Sequence, residues 1–193
     1  MNKTDQKVSR EEAWALVQQA QSGDQGAFAT LIKRYEAQIA ATVIGMLGNT
    51  PEADDVGQET FIRFYKSLSK FRGDADVGTY LTRIAINLSL NELKKRKRKG
   101  IFSLFSANRQ QEDYVKEIAD ENKEHHRDTQ EVVQRAVQTL EPNFRSVVVL
   151  RMIDGYSTKE TAEILNIPLG TVLSRLKRAQ EKLKVILKDL NQF

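Results

Sequence analysis

The sequence contains no cysteine. A chain without thiols has no disulfide crosslinks and no thiolate ligands for a metal, which is typical of proteins of the reducing cytoplasm. The N-terminal residues are polar and of mixed charge up to Trp14, and no apolar stretch has the length of a signal peptide or a membrane-spanning helix. We therefore expect a cytoplasmic protein with no direct membrane insertion.

Proline and glycine are also scarce, with 3 and 10 residues among 193. Long amphipathic runs are frequent, whereas short alternating runs of β-branched residues are few, and this combination favours an all-α protein. A hydrophobic content of 40% allows one or two modest cores in a chain of this length. We predict two small helical domains joined by a flexible linker.

Motifs of an enzyme active site are absent. The sequence has no glycine-rich phosphate loop, no cluster of metal ligands and no pairing of a nucleophile with a base. His125 and His126 are adjacent, so they would point apart on a helix, and no cysteine or third histidine completes a metal site. We predict no catalytic residue, no metal, no cofactor and no small-molecule substrate.

Charge is distributed in blocks along the chain. Basic and acidic residues number five against nine in 1–60, eleven against three in 61–100, five against nine in 101–143, and nine against five in 144–193. The two basic blocks predict two contacts with a polyanion, one from each domain. Ordinary solvated helix surfaces would produce the same pattern, so charge alone leaves that alternative open.

Near the C-terminus the sequence has the pattern of a helix-turn-helix. Ser157 and Glu160 have the spacing of a capping box, Asn166 suits a left-handed turn, and Pro168 prevents the first helix from continuing. The second helix is then expected to begin between Leu169 and Thr171. Its apolar positions recur at helical spacing: Val172, Leu176, Ala179 and Leu183. The remaining faces carry Arg175, Lys177, Arg178 and Lys182, and the motif predicts binding to duplex DNA.

A second basic helix is predicted from Thr79 to about Lys97. Two apolar faces on this helix are separated by a narrow polar stripe made of Arg83, Asn87, Asn91 and Lys94. Asparagine is a middling helix former, so two asparagines on one exposed line are better explained as readers of bases or backbone than as helix stabilisers. An ordinary surface stripe is the alternative.

The remaining elements define the predicted domain boundaries. A helix capped by Gly23-Asp24 is expected to run to Leu47, and a second, capped by Thr50 with Pro51 at its first position, to about Leu68. Helical periodicity is lost between the two basic blocks. The predicted segments are an N-terminal segment 1–22 that includes the start of the first helix, a domain 23–99, an acidic linker 100–127 and a domain 128–193.

Two separated groups of motifs resemble one family. The first group comprises Gly23-Asp-Gln-Gly-Ala-Phe28, Ala53-Asp-Asp-Val-Gly-Gln-Glu-Thr-Phe-Ile62, Phe71-Arg-Gly-Asp74 and Arg83-Ile-Ala-Ile-Asn87. The second comprises Leu140-Glu-Pro, Val148-Val-Leu-Arg151, Gly155-Tyr-Ser157, Ala162-Glu-Ile-Leu165 and Pro168-Leu-Gly-Thr-Val172 followed by Ser174-Arg175. The chain resembles the bacterial extracytoplasmic-function (ECF) sigma factors of RNA polymerase, with the two groups matching sigma regions 2 and 4.

This resemblance implies a division of roles. Region 2 would bind core polymerase and recognise and melt the −10 promoter element, and region 4 would recognise the −35 element. Contacts with the β′ clamp helices of core polymerase are implied for Asp55, Gln58, Glu59 and Ile62. Contacts with −10 DNA are implied for Asp74, Asp76, Val77, Arg83, Asn87, Asn91, Lys94 and Lys95. Contacts with −35 DNA are implied for Pro168, Gly170, Thr171, Ser174, Arg175, Lys177 and Arg178.

Further partners and supporting residues are implied by the same resemblance. The other surface of region 4 would bind the β flap, and an anti-sigma factor would bind the exposed polymerase-binding surfaces. Phe61 and Tyr65 would support the clamp-binding helix from behind, and the loop 73–78 would capture an unstacked base. In the linker, acidic residues 112–124 would mimic nucleic acid in a basic channel of the polymerase, while 101–105 would dock on an apolar surface.

The chain departs from the family pattern at several positions. Val77-Gly78 and Tyr80 make the loop before the second basic helix less aromatic than is usual. Gly57 should cost about 1 kcal/mol of helix stability relative to alanine. In region 4, Thr161 and Leu173 replace an apolar and a basic residue, so one DNA contact is expected to be missing.

A free-standing helix-turn-helix regulator is the alternative function. Such a protein would bind a palindrome as a dimer, without RNA polymerase. Co-purification with core polymerase, and promoter-specific transcription in its presence, would be expected only of a sigma factor.

Overall fold

The computed structural model describes residues 3–107 and 129–190. These residues form eight α-helices and contain no β-strand, which confirms the all-α prediction. The helices are α1 (Lys3–Gln21), α2 (Gln25–Leu47), α3 (Pro51–Ser67), α4 (Val77–Ala107), α5 (Thr129–Thr139), α6 (Pro142–Val148), α7 (Thr158–Leu165) and α8 (Leu169–Leu190). A 3-10 turn (Leu68–Lys70) follows α3, and a π-helical turn (Val149–Ile153) follows α6. No described helix has the length and apolar character needed to cross a membrane.

Helices α1 to α4 form an N-terminal unit. Helix α2 lies at its centre, in contact with α1, α3 and α4. Leu31, Ile39, Phe64 and Leu81 are almost completely buried between these helices. Burial of each such side chain stabilises the fold by about 1.5–3 kcal/mol. The apolar faces of these helices therefore pack together, and the helical spacing of apolar residues predicts which residues form the core.

The predicted signals at the ends of α2 and α3 are largely confirmed. The Asp24 carboxylate accepts hydrogen bonds from the backbone nitrogens of Gly26 (2.8 Å) and Ala27 (3.1 Å), so it caps α2. Gly48 ends α2 with a φ of 80°, and Pro51 is the first residue of α3. Thr50 precedes α3 but does not cap it, because its hydroxyl accepts from Nη2 of Arg96 (3.0 Å) instead.

Helix α4 is longer at both ends than predicted. It begins at Val77 rather than Thr79, because the Asp76 carboxylate accepts from the Gly78 nitrogen (2.8 Å) and caps the helix. It continues to Ala107, so residues 100–107, which were assigned to the linker, are helical. Lysine and arginine are good helix formers, and the cost of about 1 kcal/mol for Gly100 is too small to end the helix. The rest of the predicted linker, with its acidic stretch and both histidines, lies outside the described residues.

Helices α5 to α8 form a C-terminal unit that contains the predicted helix-turn-helix. The Ser157 hydroxyl accepts from the Glu160 nitrogen (3.2 Å), and the Glu160 carboxylate accepts from the Ser157 nitrogen (2.8 Å), which confirms the capping box. Asn166 ends α7 in the left-handed conformation (φ 51°). Because Asn166 turns the chain and Pro168 cannot extend α7, α8 begins at Leu169.

The two units pack against each other in a closed arrangement. On the N-terminal side the contact is made by α2 and α4, and on the C-terminal side by α5, α6, α7 and the π-helical turn. Gly45 allows a close approach, since a Cβ atom at this position would lie 3.0 Å from a methyl carbon of Val149. The buried residues of both units therefore join in one hydrophobic cluster.

Candidate nucleic-acid interface

The polar stripe of α4 is exposed. Arg83, Asn87, Asn91 and Lys94 face solvent, whereas Leu81, Ala85 and Ile86 on the flanking faces are fully buried. Lys95 is exposed beside the stripe and forms an ion pair with Glu92 (3.2 Å). The apolar flanks thus anchor α4 in the N-terminal unit and leave a line of hydrogen-bond donors on its surface.

The loop before α4 only partly matches the predicted DNA contacts. Asp74 is exposed. The Asp76 side chain is half-buried and is engaged in capping α4. Val77 is only 3% exposed, so its side chain cannot contact DNA in this arrangement. It belongs to the core because the helix starts there and places it on the inner face.

Helix α8 exposes the predicted DNA contacts at its N-terminal end and buries its apolar face. Val172 and Ala179 are fully buried against the rest of the C-terminal unit. Leu173 is 50% exposed, at the position where the resemblance predicts a basic residue. Thr161 is buried on α7, so it packs inside the motif. The predicted −35 residues are all exposed or half-buried: Pro168, Gly170, Thr171, Ser174, Arg175, Lys177 and Arg178.

A third surface lies on α3. Asp55 and Gln58 are exposed, and the Glu59 carboxylate accepts a hydrogen bond from Arg63 (2.8 Å). That hydrogen bond lowers the pKa of Glu59, which is therefore ionised at neutral pH. Ile62 is 46% exposed although it is apolar. The four predicted polymerase contacts thus form an acidic and amide patch with an apolar end.

An apolar groove continues this patch between α3 and α2. It is lined by Phe28, Ile32, Phe61, Ile62 and Tyr65, among others. The ring of Tyr65 packs edge-on against Phe28 at 4.9 Å, yet the residue is 55% exposed. Phe61 packs partly against the core and also lines the groove, whereas Tyr65 lies on the accessible side.

The packing of the two units brings the polar stripe of α4 into contact with the helix-turn-helix. Nη2 of Arg83 on α4 donates to the main-chain oxygen of Glu163 on α7 (2.9 Å). The first helix of the motif thus covers part of the stripe. One of the five N–H donors of this guanidinium is used by the carbonyl, and α7 covers it on that side.

A half-buried hydrogen-bond network supports this contact. The Tyr156 hydroxyl lies 2.8 Å from the Gln38 amide nitrogen and 2.9 Å from the Thr82 hydroxyl. Next to it, the Thr42 hydroxyl lies 2.9 Å from the Asp154 carboxylate and 3.0 Å from the Gln38 main-chain oxygen. Burial raises the pKa of Asp154 from 3.8 to about 6, although the Thr42 hydrogen bond opposes this shift. The network links α2 and α4 to the segment after the π-helical turn.

The C-terminal unit also caps α2. The last carbonyl groups of a helix have no partner within it. Here Gln138 donates to the oxygens of Ile44 (3.3 Å) and Gly45 (2.8 Å), and Nη1 of Arg145 donates to that of Met46 (2.6 Å). Arg145 is only 7% exposed and also donates to two carbonyls of its own unit. The contact between the units is therefore stabilised by specific hydrogen bonds as well as by burial of apolar side chains.

Replacing Gly45 by leucine is expected to separate the two units. The added side chain would clash with the fully buried Val149, and overpacking of this kind costs about 1–3 kcal/mol. Small-angle scattering of the variant should show a larger radius of gyration, while the helix content by circular dichroism stays unchanged.

Gly57→Leu is the matched control for this prediction. Gly57 is also a helical glycine, but the nearest atom to a Cβ there is 4.0 Å away. This variant should remain as compact as the wild type. An unchanged radius of gyration for Gly45→Leu would show that Val149 can move aside and that Gly45 does not control closure.

Comparison with known proteins identifies the family. The model of sigma-70 region 2 matches residues 31–99, and the model of sigma-70 region 4 matches residues 130–183. The chain is 35% identical over 179 residues to the ECF RNA polymerase sigma factor SigW of Bacillus subtilis, covering 90% of this chain and 96% of that protein. The chain belongs to the ECF sigma factors. The first region thus contains α4 up to Lys99 with its whole stripe, and the second contains the helix-turn-helix.

Solved structures of other proteins share the fold of this sigma factor. The structure of CnrH in complex with the cytosolic domain of CnrY matches with a TM-score of 0.66 and 25% identity, covering 92% of this chain and 98% of CnrH. The sigma factor RpoE of Bartonella quintana, in complex with the anti-sigma factor NepR, matches with a TM-score of 0.65 and 20% identity. That match covers 83% of this chain and 96% of RpoE.

Sequence reasoning missed the residues that close this sigma factor. Gln38 and Thr42 interrupt the apolar positions of α2, whereas Asp154 and Tyr156 lie in a polar turn, and nothing else distinguishes these four residues in the sequence. Polar residues interrupt surface helices frequently, so the signal is weak. Their roles depend on contacts between segments that are more than a hundred residues apart.

Proposed function

We propose that this chain is a sigma subunit that binds core RNA polymerase and directs it to promoters with a −10 and a −35 element. The observation that carries this proposal is the pair of exposed basic helices, α4 and α8, on two separate units of a chain in the ECF family. One helix suits DNA that is being opened and the other suits intact duplex. The protein acts in the cytoplasm by binding and causes no change in covalent bonds.

Promoter recognition requires the closed arrangement to open. The −10 and −35 elements are 25 base pairs apart, which is about 85 Å of B-form DNA at 3.4 Å per base pair. In the closed arrangement Arg83 and the helix-turn-helix are in hydrogen-bond contact. The two units cannot read both elements while this contact exists. The 21 residues between the described ranges provide a connection of at most about 75 Å when fully extended. Because α4 and α8 are themselves about 46 Å and about 33 Å long, the two units can reach both elements.

Three protein partners follow from the surfaces. The acidic and amide patch of α3 (Asp55, Gln58, Glu59) would bind the basic β′ clamp helices, with Ile62 at the apolar end. A surface of the C-terminal unit away from DNA would bind the β flap. An anti-sigma factor would bind the same patches and keep the two units closed. The anti-sigma factor NepR bound to a protein of the same fold supports this last partner.

A free-standing regulator would need only the helix-turn-helix. The exposed α3 patch, the exposed stripe of α4 and the match to region 2 have no role in such a protein. The test is transcription with core polymerase. Promoter-specific RNA made only when the chain is added supports a sigma factor, whereas specific duplex binding by the chain alone, without transcription, would support the regulator.

The two DNA-binding helices are expected to divide their work. Arg175→Ala should weaken holoenzyme binding to fully paired promoter DNA by about 1–3 kcal/mol, since an arginine contact with phosphate or guanine is lost. Asn87→Ala should mainly impair opening, because its amide meets unstacked bases. The measurement is holoenzyme affinity for duplex and for pre-opened bubble DNA, with each variant.

Lys184→Ala is the control, since this exposed lysine is nine residues from Arg175 and therefore on the opposite side of α8. It should change neither affinity. If Arg175→Ala and Asn87→Ala lowered the affinity for both templates by the same factor, the proposed division between the helices would be wrong.

A further inference from the structure

A pocket of about 410 Å³ lies between α1 and the loop that precedes α4. The indole ring of Trp14 forms part of its lining, and the buried side chains of Phe71 and Val77 line it from the inside of the unit. Val77 begins α4, so the pocket is about 9 Å along the helix axis from Arg83. The pocket therefore lies within two helical turns of the stripe proposed to read the −10 element.

Trp14 is held in place by the loop. Gly73 has a φ of +76°, and a Cβ atom at this position would lie 2.8 Å from Cζ3 of the indole. The ring also packs on Phe71, with a centroid distance of 6.1 Å. A guanidinium nitrogen of Arg10 donates to the Gly73 main-chain oxygen at 3.4 Å. Trp14 is half-buried, so these contacts determine the position of the ring while part of it stays accessible.

The loop itself supplies no accessible aromatic ring. Residues 72–79 contain no aromatic residue. The ring of Tyr80 packs inward at 4.9 Å from Phe71, and its hydroxyl lies 3.2 Å from the Ser67 hydroxyl. Among the described residues that line the pocket, Trp14 is the aromatic residue that is not buried.

Charged groups surround this ring. Arg10, Glu11 and Arg72 are exposed and line the pocket. Arg10 already uses one of its donors on the Gly73 oxygen, and the guanidinium of Arg72 suits a phosphodiester. The carboxylate of Asp76 also lines it, and the Gly78 nitrogen holds this group in place (2.8 Å). A carboxylate can accept a hydrogen bond from the amino group of a base. A partly accessible ring beside an arginine and a fixed acceptor matches the chemistry of an unpaired nucleotide.

We propose that Trp14 stacks on an unpaired base of promoter DNA in this pocket. This inference rests on the proposed function and adds α1 to the DNA-reading surface. In this chain the ring comes from α1, across the glycine of the loop, and supplies the stacking that the loop residues do not provide. Trp14 thus contributes to recognition of opened DNA and not of duplex.

The first experiment uses the fluorescence of Trp14, which is the single tryptophan of the chain. The full-length protein is titrated with three labelled probes of equal length, whose bound fraction is measured by anisotropy. The probes are a 12-nucleotide single strand of randomised sequence, an abasic deoxyribose-phosphate strand and a duplex. At equal occupancy we expect the base-containing single strand to quench the fluorescence of Trp14. The abasic strand and the duplex should leave this fluorescence unchanged. Equal quenching by the abasic strand, or no quenching by the single strand at saturation, would overturn the proposal.

The second experiment compares Trp14→Leu with Trp14→Phe in the holoenzyme. Leucine retains an apolar contact with Phe71 but cannot stack, whereas phenylalanine can do both. On a pre-opened bubble template, Trp14→Leu should lose about tenfold in affinity and Trp14→Phe should stay within about threefold of the wild type. Neither change should alter affinity for duplex promoter DNA. Equal bubble affinity of Trp14→Leu and wild type, or an equal loss on duplex, would contradict stacking.

Failure of the proposed function and failure of the proposed role of Trp14 give different results. If the wild-type holoenzyme transcribes from no promoter, the proposed function is wrong. If it is active and Trp14→Leu matches it on bubble DNA, only the role of Trp14 is wrong. Thermal melting by circular dichroism shows whether each variant is folded, and if Trp14→Leu does not fold, the wild-type fluorescence titration decides.

Discussion

Replacing Asp154 by asparagine is expected to stabilise the closed arrangement by up to about 3 kcal/mol at pH 8. Burial raises the pKa of this carboxyl from 3.8 to about 6 in the closed arrangement, and each pKa unit corresponds to about 1.4 kcal/mol. At pH 8 the wild-type carboxylate is charged and half-buried between α2 and the C-terminal unit. Asparagine has no charge to desolvate and can still hydrogen-bond to Thr42.

The pH dependence of the wild type follows from the same shift. A carboxyl whose pKa is raised on closure binds its proton more tightly in the closed than in the open arrangement, so acidification favours closure. This contribution is fully present below pH 3.8 and is lost as the pH rises through about 6. From pH 8 to pH 5 we expect the closed arrangement to gain about 1.4 kcal/mol of stability relative to the open one. The ratio of closed to open protein should then rise roughly tenfold.

Fluorescence resonance energy transfer between the two units measures both the effect of Asp154→Asn and the pH dependence of the wild type. Because the chain has no cysteine, one cysteine on α1 and one on α8 can be introduced and labelled specifically. Transfer efficiency should rise from pH 8 to pH 5 in the wild type and be high and constant in Asp154→Asn. Asp54→Asn, an exposed carboxylate on α3, is the control and should retain the wild-type profile. A pH profile that survives in Asp154→Asn would assign the effect to another group.

Replacing Glu59 by lysine is expected to weaken binding to core polymerase by several kcal/mol, or roughly 100-fold or more. The change places a positive charge in the acidic and amide patch of α3, opposite the basic β′ clamp helices of the proposed interface. The fold should survive, since the ion pair with Arg63 that is lost is exposed to solvent and contributes little to stability. Affinity for core polymerase at moderate salt and thermal melting are the two measurements.

Glu131→Lys is a matched control for this prediction. Glu131 forms the same kind of ion pair, with Arg135 four residues later, but on α5. The Glu131→Lys variant should have the same melting temperature as Glu59→Lys and should bind core polymerase with the affinity of the wild type. An unchanged affinity of Glu59→Lys would remove Glu59 from the interface, and loss of its thermal transition would show that the residue is needed for the fold.

Local structure was largely predictable from the sequence because its causes are local. The cap at Asp24, the capping box at Ser157 and the left-handed Asn166 each involve residues within four positions of one another. Amphipathic spacing likewise predicted the buried and exposed faces of α4 and α8. The ends of α4 were less well predicted, since a side-chain cap at Asp76 and a run of good helix formers overrode the turn signals around Gly78 and Gly100.

The sequence by itself determined the helices, the two basic surfaces and the family. Only the tertiary structure decided that the two units close on each other, that Arg83 is bound to the backbone of Glu163, and that Trp14 lies beside the loop before α4. These features arise from contacts between residues that are 59 to 118 positions apart in the chain. No period or short motif encodes such contacts, because they depend on how complete helices pack and on which buried polar groups find partners.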